Sequence, residues 1–239
     1  MKVLFISVFL VILITLVSCG NFDITKSIMK NSLVGEWLFT GNANDSSRNS
    51  NNGIVLGAIL TNDRFGNNNS AYYFNGKSLI STPSFINLGI QSFTISYYLN
   101  MSATPNAYNM SFDFAPEACF GIDYNTSGAP GKFSFWVGNN GSSWNVLTEE
   151  PINFPTLTFK KWYHIAVVYD QTNYYFYVNG QLSEIFINKE APRNIMNGFT
   201  FGNDTDHHDI GFNGILDDFR IYNYALSSNQ VYIQGTNGI

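Results

Sequence analysis

One segment in the C-terminal half of the chain constrains the fold most. Trp162–Tyr169 is apolar at nearly every position, which is typical of a strand buried on both faces. A polar turn leads into the aromatic run Tyr174–Val178. Asn179-Gly180 follows and favours a two-residue hairpin, because both turn positions need a positive φ. Leu182–Ile187 then returns, so this segment predicts a three-stranded antiparallel meander.

The rest of the chain repeats the pattern of short apolar segments between turn formers. Residues 93–99 alternate, with Thr94 and Ser96 on the face opposite four apolar side chains. Segments 132–138 and 214–222 predict further strands, and residues 227–233 a short helix. Aromatic residues make up 16% of the chain and charged residues 12%, and turn-forming Asn is abundant. This pattern predicts an all-β fold, either a two-sheet sandwich or a barrel.

The N-terminus predicts an export signal over residues 1–18. Lys2 precedes an apolar run that is shorter than the ~20 residues needed to span a bilayer. The run ends in Leu-Val-Ser before Cys19, which resembles the lipobox of bacterial lipoproteins. That resemblance implies that Cys19 receives a diacylglycerol group and becomes the new N-terminus. A plain secretory signal and an uncleaved N-terminal anchor are the alternatives.

Composition limits the partners and the covalent chemistry. The net charge of −5 becomes −6 when Lys2 leaves with the signal, and the sequence has neither a basic patch for nucleic acid nor a polybasic run for anionic lipid. If Cys19 is acylated, Cys119 is the one remaining cysteine and has no disulfide partner. We expect Cys119 to be a small buried hydrophobic residue.

Four sequence blocks occur in order along the chain. Residues 33–76 include Trp-Leu-Phe, Asn-Ala-Asn-Asp and Ala-Tyr-Tyr-Phe-Asn-Gly, and residues 90–99 include Phe-Thr-Ile-Ser. Residues 161–180 contain the meander and its hairpin, and residues 214–226 include Gly-Ile-Leu-Asp-Asp-Phe-Arg-Ile-Tyr. Together they resemble the laminin-G-like jelly roll of the concanavalin A-like lectin/glucanase superfamily, over about residues 33–235.

This resemblance implies a two-sheet antiparallel jelly-roll sandwich, preceded here by a helical signal peptide. We predict a signal over residues 1–18, a lipid-anchored tether over 19–32 and one jelly-roll domain over 33–239. Members of the family bind carbohydrate or protein ligands, often with a structural Ca²⁺. We therefore expect a glycan or a protein ligand.

The resemblance also implies a Ca²⁺ site between an early loop and a late strand. The matching positions are Asp45 and Asp217, with Asn67 and nearby carbonyls as further oxygen ligands. Strict alternation puts Asp217 on the apolar face of its strand and Asp218 on the other face beside Arg220. A buried carboxylate needs a partner. Besides Ca²⁺, the alternatives are that Asp45 is a turn residue and that Asp217 is bound by loop amides or an arginine.

Two loops contain candidate ligand-binding residues. Trp144 lies in a polar loop with little core to enter, and it is the best candidate for an aromatic sugar platform. A second loop contains Asp206, His207 and His208, which are potential transition-metal ligands. Adjacent histidines of an extended loop point apart, so we favour a solvated loop over a metal site. Such a loop can still line a ligand groove.

No catalytic motif is recognisable. Glucanases of this superfamily carry Glu-x-Asp-x-x-Glu on a strand, which this chain lacks, and Glu149 and Glu150 diverge if extended. We therefore expect no enzymatic activity. The sequence predicts a glycan-binding lipoprotein of the bacterial cell envelope, in the outer membrane and facing the periplasm or the cell surface. A protein-interaction, adhesin or structural role is the second hypothesis, and a glycoside-active enzyme is the third.

Overall fold

A computed structural model describes residues 26–82, 92–102, 109–113, 120–124, 133–138, 144–148, 157–187, 199–203 and 211–237. Between residues 109 and 148 only the backbone of the strands is described. Residues 26–31 are helical (α1), and α2 spans Ser228–Asn237. The strands are β1 Leu33–Trp37, β2 Ile54–Leu56, β3 Ile59–Thr61, β4 Ala71–Asn75, β5 Leu79–Ser81, β6 Phe93–Met101, β7 Asn109–Asp113, β8 Phe120–Tyr124, β9 Phe133–Gly138, β10 Trp144–Thr148, β11 Trp162–Tyr169, β12 Tyr174–Val178, β13 Gln181–Phe186, β14 Thr200–Phe201 and β15 Asn213–Tyr222.

The strands form two antiparallel sheets. One sheet has eight strands. Seven follow the order β13-β12-β11-β6-β15-β4-β3, and the eighth, β1, pairs with the C-terminal half of β15, whereas β4 pairs with its N-terminal half. The other has seven strands in the order β10-β9-β8-β7-β14-β5-β2. The predicted meander is confirmed as β11, β12 and β13, and Asn179 and Gly180 both have a positive φ at its hairpin. The predicted two-sheet sandwich is confirmed as well.

Aromatic side chains fill the core between the sheets. Trp37 of β1 contacts Phe199 and Phe201 at ring-centroid distances of 5.3 and 5.1 Å, which joins the two sheets. Its indole N–H donates to the backbone oxygen of Asn51 at 3.0 Å. Edge-to-face pairs of this kind add to the stabilisation from apolar burial. Among the described residues, fourteen buried aromatic residues belong to this core.

A bulge in β15 changes which side chains share a face. Asp217 lies opposite Tyr98 and Arg220 lies opposite Ser96, so β15 has two residues where β6 has one. Asp218, inside the bulge, has φ of 49°. The bulge puts Asp217 and Arg220 on the same face, turned away from the core. The expectation that Asp217 lies on the apolar face of its strand is wrong, because it assumed unbroken alternation.

The face of the eight-stranded sheet that is turned away from the other sheet, here the outer face, is also covered. Met29 of α1 and Val231 of α2 pack with Tyr177 and Tyr222 in a second apolar cluster. The residues of α1 were predicted to belong to the tether, but Met29 is buried against the domain. Among the residues described, no helix is long and apolar enough to cross a membrane.

Candidate functional site

The loop of residues 62–70, here the Phe65 loop, connects β3 to β4 and is held in shape by Asp63. One oxygen of this carboxylate accepts hydrogen bonds from the backbone N–H groups of Phe65 and Asn67, both at 2.8 Å. The other accepts from the Asn67 side-chain amide at 2.8 Å. Partial burial would raise the pKa of Asp63, but these hydrogen bonds outweigh it and lower the pKa below its ordinary value. The loop is therefore fixed by its own side chains.

Arg64 anchors the Phe65 loop to the outer face of the eight-stranded sheet. Its guanidinium donates to Asp217 at 2.5 Å and to Asp218 at 2.7 Å. It also lies 3.8 Å from the centroid of the Tyr98 ring. A planar guanidinium suits this arrangement, because it can bind two carboxylates and stack on an aromatic ring at the same time.

The anchor belongs to a larger ion cluster. Arg220 donates to Glu36 at 3.0 Å and lies 3.6 Å from Asp218, so Asp218 contacts both Arg220 and Arg64. Burial raises the pKa of Asp217 to about 7, the carboxylate of Asp218 acts in the same direction, and the guanidinium of Arg64 opposes both. The arginine partner therefore favours the charged form of a carboxylate that burial disfavours.

The side of the Phe65 loop that faces solvent presents an aromatic ring among amides. Phe65 is 69% exposed, and its ring lies 4.4 Å from the Arg64 guanidinium. Residues 67–69 are three exposed asparagines. An exposed aromatic ring on an ordered loop can take up a ligand at low cost, because little conformational entropy is lost when the ligand docks. Chemically, this surface offers an apolar plane with hydrogen-bond donors and acceptors around it.

The three predicted calcium ligands each have partners of their own. The carboxylate of Asp45 accepts four hydrogen bonds at 2.8 Å, from the backbone of Glu36, Ser47 and Asn51 and from the Ser47 hydroxyl. Asn67 is bonded to Asp63, and Asp217 to Arg64. Within the described ranges no three His, Cys, Asp or Glu side chains gather as a metal site. These contacts agree with the alternatives to calcium, in which Asp45 is a turn residue and Asp217 is bound by an arginine. Calcium binding stays a prediction.

The other predicted site residues have no described side chains. Cys19, Asp206, His207 and His208 lie outside the described residues, as does Cys119. Trp144 was assigned to a polar loop. Its backbone begins strand β10 opposite Gly138.

A buried Ser–His pair lies on the outer face of the same sheet. Ser96 Oγ and His164 Nε2 are 2.9 Å apart, and both residues are buried beneath the covering helices. Burial lowers the pKa of His164 to about 3, and the positive charges of Arg220 and Arg64 act in the same direction. Its Nδ1 has no hydrogen-bond partner within the described part of the chain. The pair is buried from solvent, and no acid among the described residues orients His164 as an activated nucleophile requires.

Sequence reasoning missed Arg64 and Phe65 as site residues. Both lie within residues 33–76, the first block of the family resemblance, but neither was predicted to contact a ligand. The signal that selected Trp144, an aromatic residue in a polar loop, applies equally to Phe65. The pairing of Arg64 with Asp217 spans 153 positions of sequence and depends on the bulge in β15.

The two stacked sheets and the exposed loop define a jelly-roll sandwich of the lectin-like class. Residues 60–232 match the laminin G family model of the concanavalin A-like lectin/glucanases superfamily. The match covers most of the chain, and the protein belongs to this superfamily. A search of curated proteins finds no match.

Solved structures share this fold. The binding domain of Paraclostridial Mosquitocidal Protein 1 superposes with a TM-score of 0.70 at 18% identity, over 88% of this chain and 53% of that one. Domain 4 of AbnA, an extracellular arabinanase from Geobacillus stearothermophilus, in complex with arabinotriose, gives 0.68 at 22%, over 86% and 98%. The binding domain of Botulinum Neurotoxin DC in complex with SialylT gives 0.66 at 17%, over 87% and 52%. The chain spans about half the length of the two toxin binding domains, and the likeness is one of fold.

Proposed function

We propose that this protein is a lipid-anchored component of the bacterial envelope that binds a glycan through its jelly roll, without catalysing a reaction. The Phe65 loop carries the proposal. It joins an aromatic ring that is 69% exposed to a loop fixed by the Asp63 hydrogen bonds and the Arg64 ion pairs. A sugar has a C–H face that stacks on such a ring and hydroxyl groups that bond with neighbouring amides.

The rigidity of this loop is the physical reason to expect useful affinity from a small contact. Ordering a side chain on binding costs about 0.5–1.5 kcal/mol, so a loop that is already ordered loses less. Arg64 is bound on three sides, by Asp217, Asp218 and the Tyr98 ring, before any ligand arrives. The exposed asparagines of residues 67–69 then supply donors and acceptors beside the ring.

Two of the structural neighbours support a glycan as the ligand. Domain 4 of AbnA was solved with arabinotriose, and this chain covers 98% of it. The binding domain of Botulinum Neurotoxin DC was solved with SialylT. Acylation of Cys19 would place the domain at a membrane surface, because acyl chains would hold it there.

The test is glycan binding by wild type and Phe65→Ala, on an array and then by titration of any sugar that binds. We expect Phe65→Ala to weaken binding at least tenfold. The matched control is Tyr232→Ala, which removes another exposed ring, from α2. Running each arm with calcium and with chelator also tests the calcium prediction. Equal binding by wild type and Phe65→Ala would contradict the assignment of this loop.

The anchor is tested separately. Full-length wild type and Cys19→Ala are expressed in a bacterium fed a labelled fatty acid. We expect the label on wild type alone, and a wild-type N-terminal peptide whose mass matches an acylated Cys19. An unlabelled wild-type protein would contradict the lipoprotein assignment and leave the glycan proposal standing.

A further inference from the structure

A second surface lies where α1 meets the loop that follows β1, and it shares Arg220 with the ion cluster that anchors the Phe65 loop. It is a cleft of about 280 Å³ with an apolar floor that includes Met29, Leu33 and Tyr222. Ser46 and Ser47 line one wall. Its charged lining consists of Lys26, Lys30, Arg48, Arg220 and Glu36.

The charge of this cleft is opposite to that of the chain. Four cations and one carboxylate line it, whereas the whole chain has a net charge of −5. Arg220 is buried and paired with Glu36 and Asp218, so it belongs to the fold. Lys30 and Arg48 are exposed at the rim, and neither forms an ion pair with a described residue. The cleft therefore holds two cations that a ligand can reach, in a field of further positive charge.

The position of the cleft indicates what it faces. Lys26 and Lys30 are one helical turn apart on α1, the helix at the N-terminal end of the described chain. Seven positions separate Cys19 from Lys26, so Lys26 lies within roughly 24 Å of an acylated Cys19 even when the intervening chain is fully extended. A lipid-anchored chain would thus hold this cleft close to a layer of headgroup phosphates.

We propose that this cationic cleft binds the phosphate of an anionic phospholipid headgroup and so fixes how the domain lies on the membrane. The inference rests on the proposed anchor at Cys19, which supplies the proximity. A phosphate suits the rim, because Arg48 can donate two parallel hydrogen bonds to its oxygens while Lys30 adds a point charge. The apolar floor suits the glycerol and the first methylene groups beyond the phosphate.

The test measures binding of an unacylated chain that begins at Gly20 to vesicles of phosphatidylglycerol or of phosphatidylcholine, by sedimentation. Every described strand and helix lies within residues 26–237, so this chain retains the described fold. Lys30→Gln/Arg48→Gln removes both accessible cations. The matched control is Lys77→Gln/Lys160→Gln, which removes the same charge from exposed positions outside the cleft.

We expect wild type to bind the phosphatidylglycerol vesicles and not the phosphatidylcholine ones. Each basic residue near an anionic surface contributes about fivefold in affinity, so the cleft variant should bind about 25-fold more weakly. The control variant should bind nearly as wild type does. Binding should disappear at 1 M salt, where charges are screened beyond about 3 Å.

Three results would overturn the proposal. The cleft and control variants could lose vesicle binding equally, or wild type could bind both lipids equally. In the third, Lys30 and Arg48 would be needed to bind an acidic glycan and not to bind vesicles. Phe65→Ala separates the two sites, because it should lose glycan binding and keep vesicle binding. Acylation plays no part in this measurement. Each proposal therefore has its own experiment: fatty-acid labelling tests the anchor, glycan binding tests the Phe65 loop, and vesicle sedimentation tests the cleft.

Discussion

The two faces of the eight-stranded sheet are both buried, but by different chemistry. The inner face of β6 presents Phe93, Ile95 and Tyr97 to an aromatic core shared with the other sheet. Its outer face presents Thr94 and Ser96, each held by a specific hydrogen bond. Apolar packing depends on volume, whereas a buried polar group requires one particular partner. The inner face therefore explains why the sandwich forms, and the outer face explains where its loops and helices are fixed.

Truncation of the inner face should have the largest effect on stability. Trp37→Ala leaves a cavity between the sheets and removes the hydrogen bond to Asn51, so we expect a loss of about 4 kcal/mol in the free energy of unfolding. Urea denaturation followed by circular dichroism measures it. Trp37→Phe is the conservative control and should lose less. If Trp37→Ala lowers the free energy of unfolding by less than about 1 kcal/mol, the inner face does not contribute more to stability than the outer face.

Removal of one ionic partner should be the next largest effect. Arg64→Met removes the cation that lowers the pKa of Asp217, so at pH 8 the folded state must keep an unpaired buried charge or take up a proton. Either costs stability, and we expect a loss of about 3 kcal/mol. In Arg64→Met/Asp217→Asn the buried charge is gone as well, so part of the loss should be recovered. The same denaturation series measures both variants. If the double variant is no more stable than Arg64→Met, the cost does not come from an unpaired carboxylate.

The outer face should also respond to pH through Asp217. Its pKa is about 7 in the folded protein and about 3.8 when unfolded, so between these values the folded state holds the proton more tightly. The stability contributed by this group is full below pH 4 and falls as the pH rises to 7. Asp217→Asn removes that titration. We expect the difference in unfolding free energy, wild type minus variant, to decline over this window by about 1.4 kcal/mol per pH unit at most.

A difference between wild type and Asp217→Asn that stays flat from pH 4 to pH 7 would contradict this prediction. The comparison with Asp217→Asn is needed because buried His164 acts in the opposite direction. Its pKa of about 3 means that the unfolded state binds a proton that the folded state does not, so its contribution is lost as the pH falls below 6.5.

The smallest stability change is expected at Phe65, where the effect on binding should be largest. Its ring is mostly in solvent, so Phe65→Ala should change the free energy of unfolding by no more than about 0.5 kcal/mol. Thermal unfolding of the wild-type and Phe65→Ala proteins used for the glycan array measures this change in stability. A variant that is strongly destabilised would show that Phe65 is a structural residue of the loop, and its loss of glycan binding would then carry no weight.

Local pattern was enough to predict the strands that pair with neighbours in sequence. The hairpin at Asn179 and Gly180 requires a positive φ at two adjacent positions, and this requirement is visible in the residue types. Helix α2 begins within a residue of its expected start. The pairing of β15 with β6 and β1 was not predicted, because it joins segments more than a hundred residues apart.

The site was less predictable than the fold. Asp217 was recognised as a buried carboxylate in need of a partner, but its face was wrong because a bulge cannot be read from alternation alone. The sequence has no polybasic run. The cationic cleft nonetheless exists, because Lys30, Arg48 and Arg220 come from three separate segments that the fold brings together.

By itself, the sequence determined the all-β class and the meander, because strand period and turn residues act over a few positions. The four sequence blocks indicated the family by their resemblance to it. Tertiary structure alone decided that Arg64 clasps Asp217 and Asp218, that Phe65 is left in solvent, and that α1 closes one side of a charged cleft. These features depend on side chains that are distant in sequence and meet only in the folded chain. The charged ones pair there because a buried charge without a partner is costly.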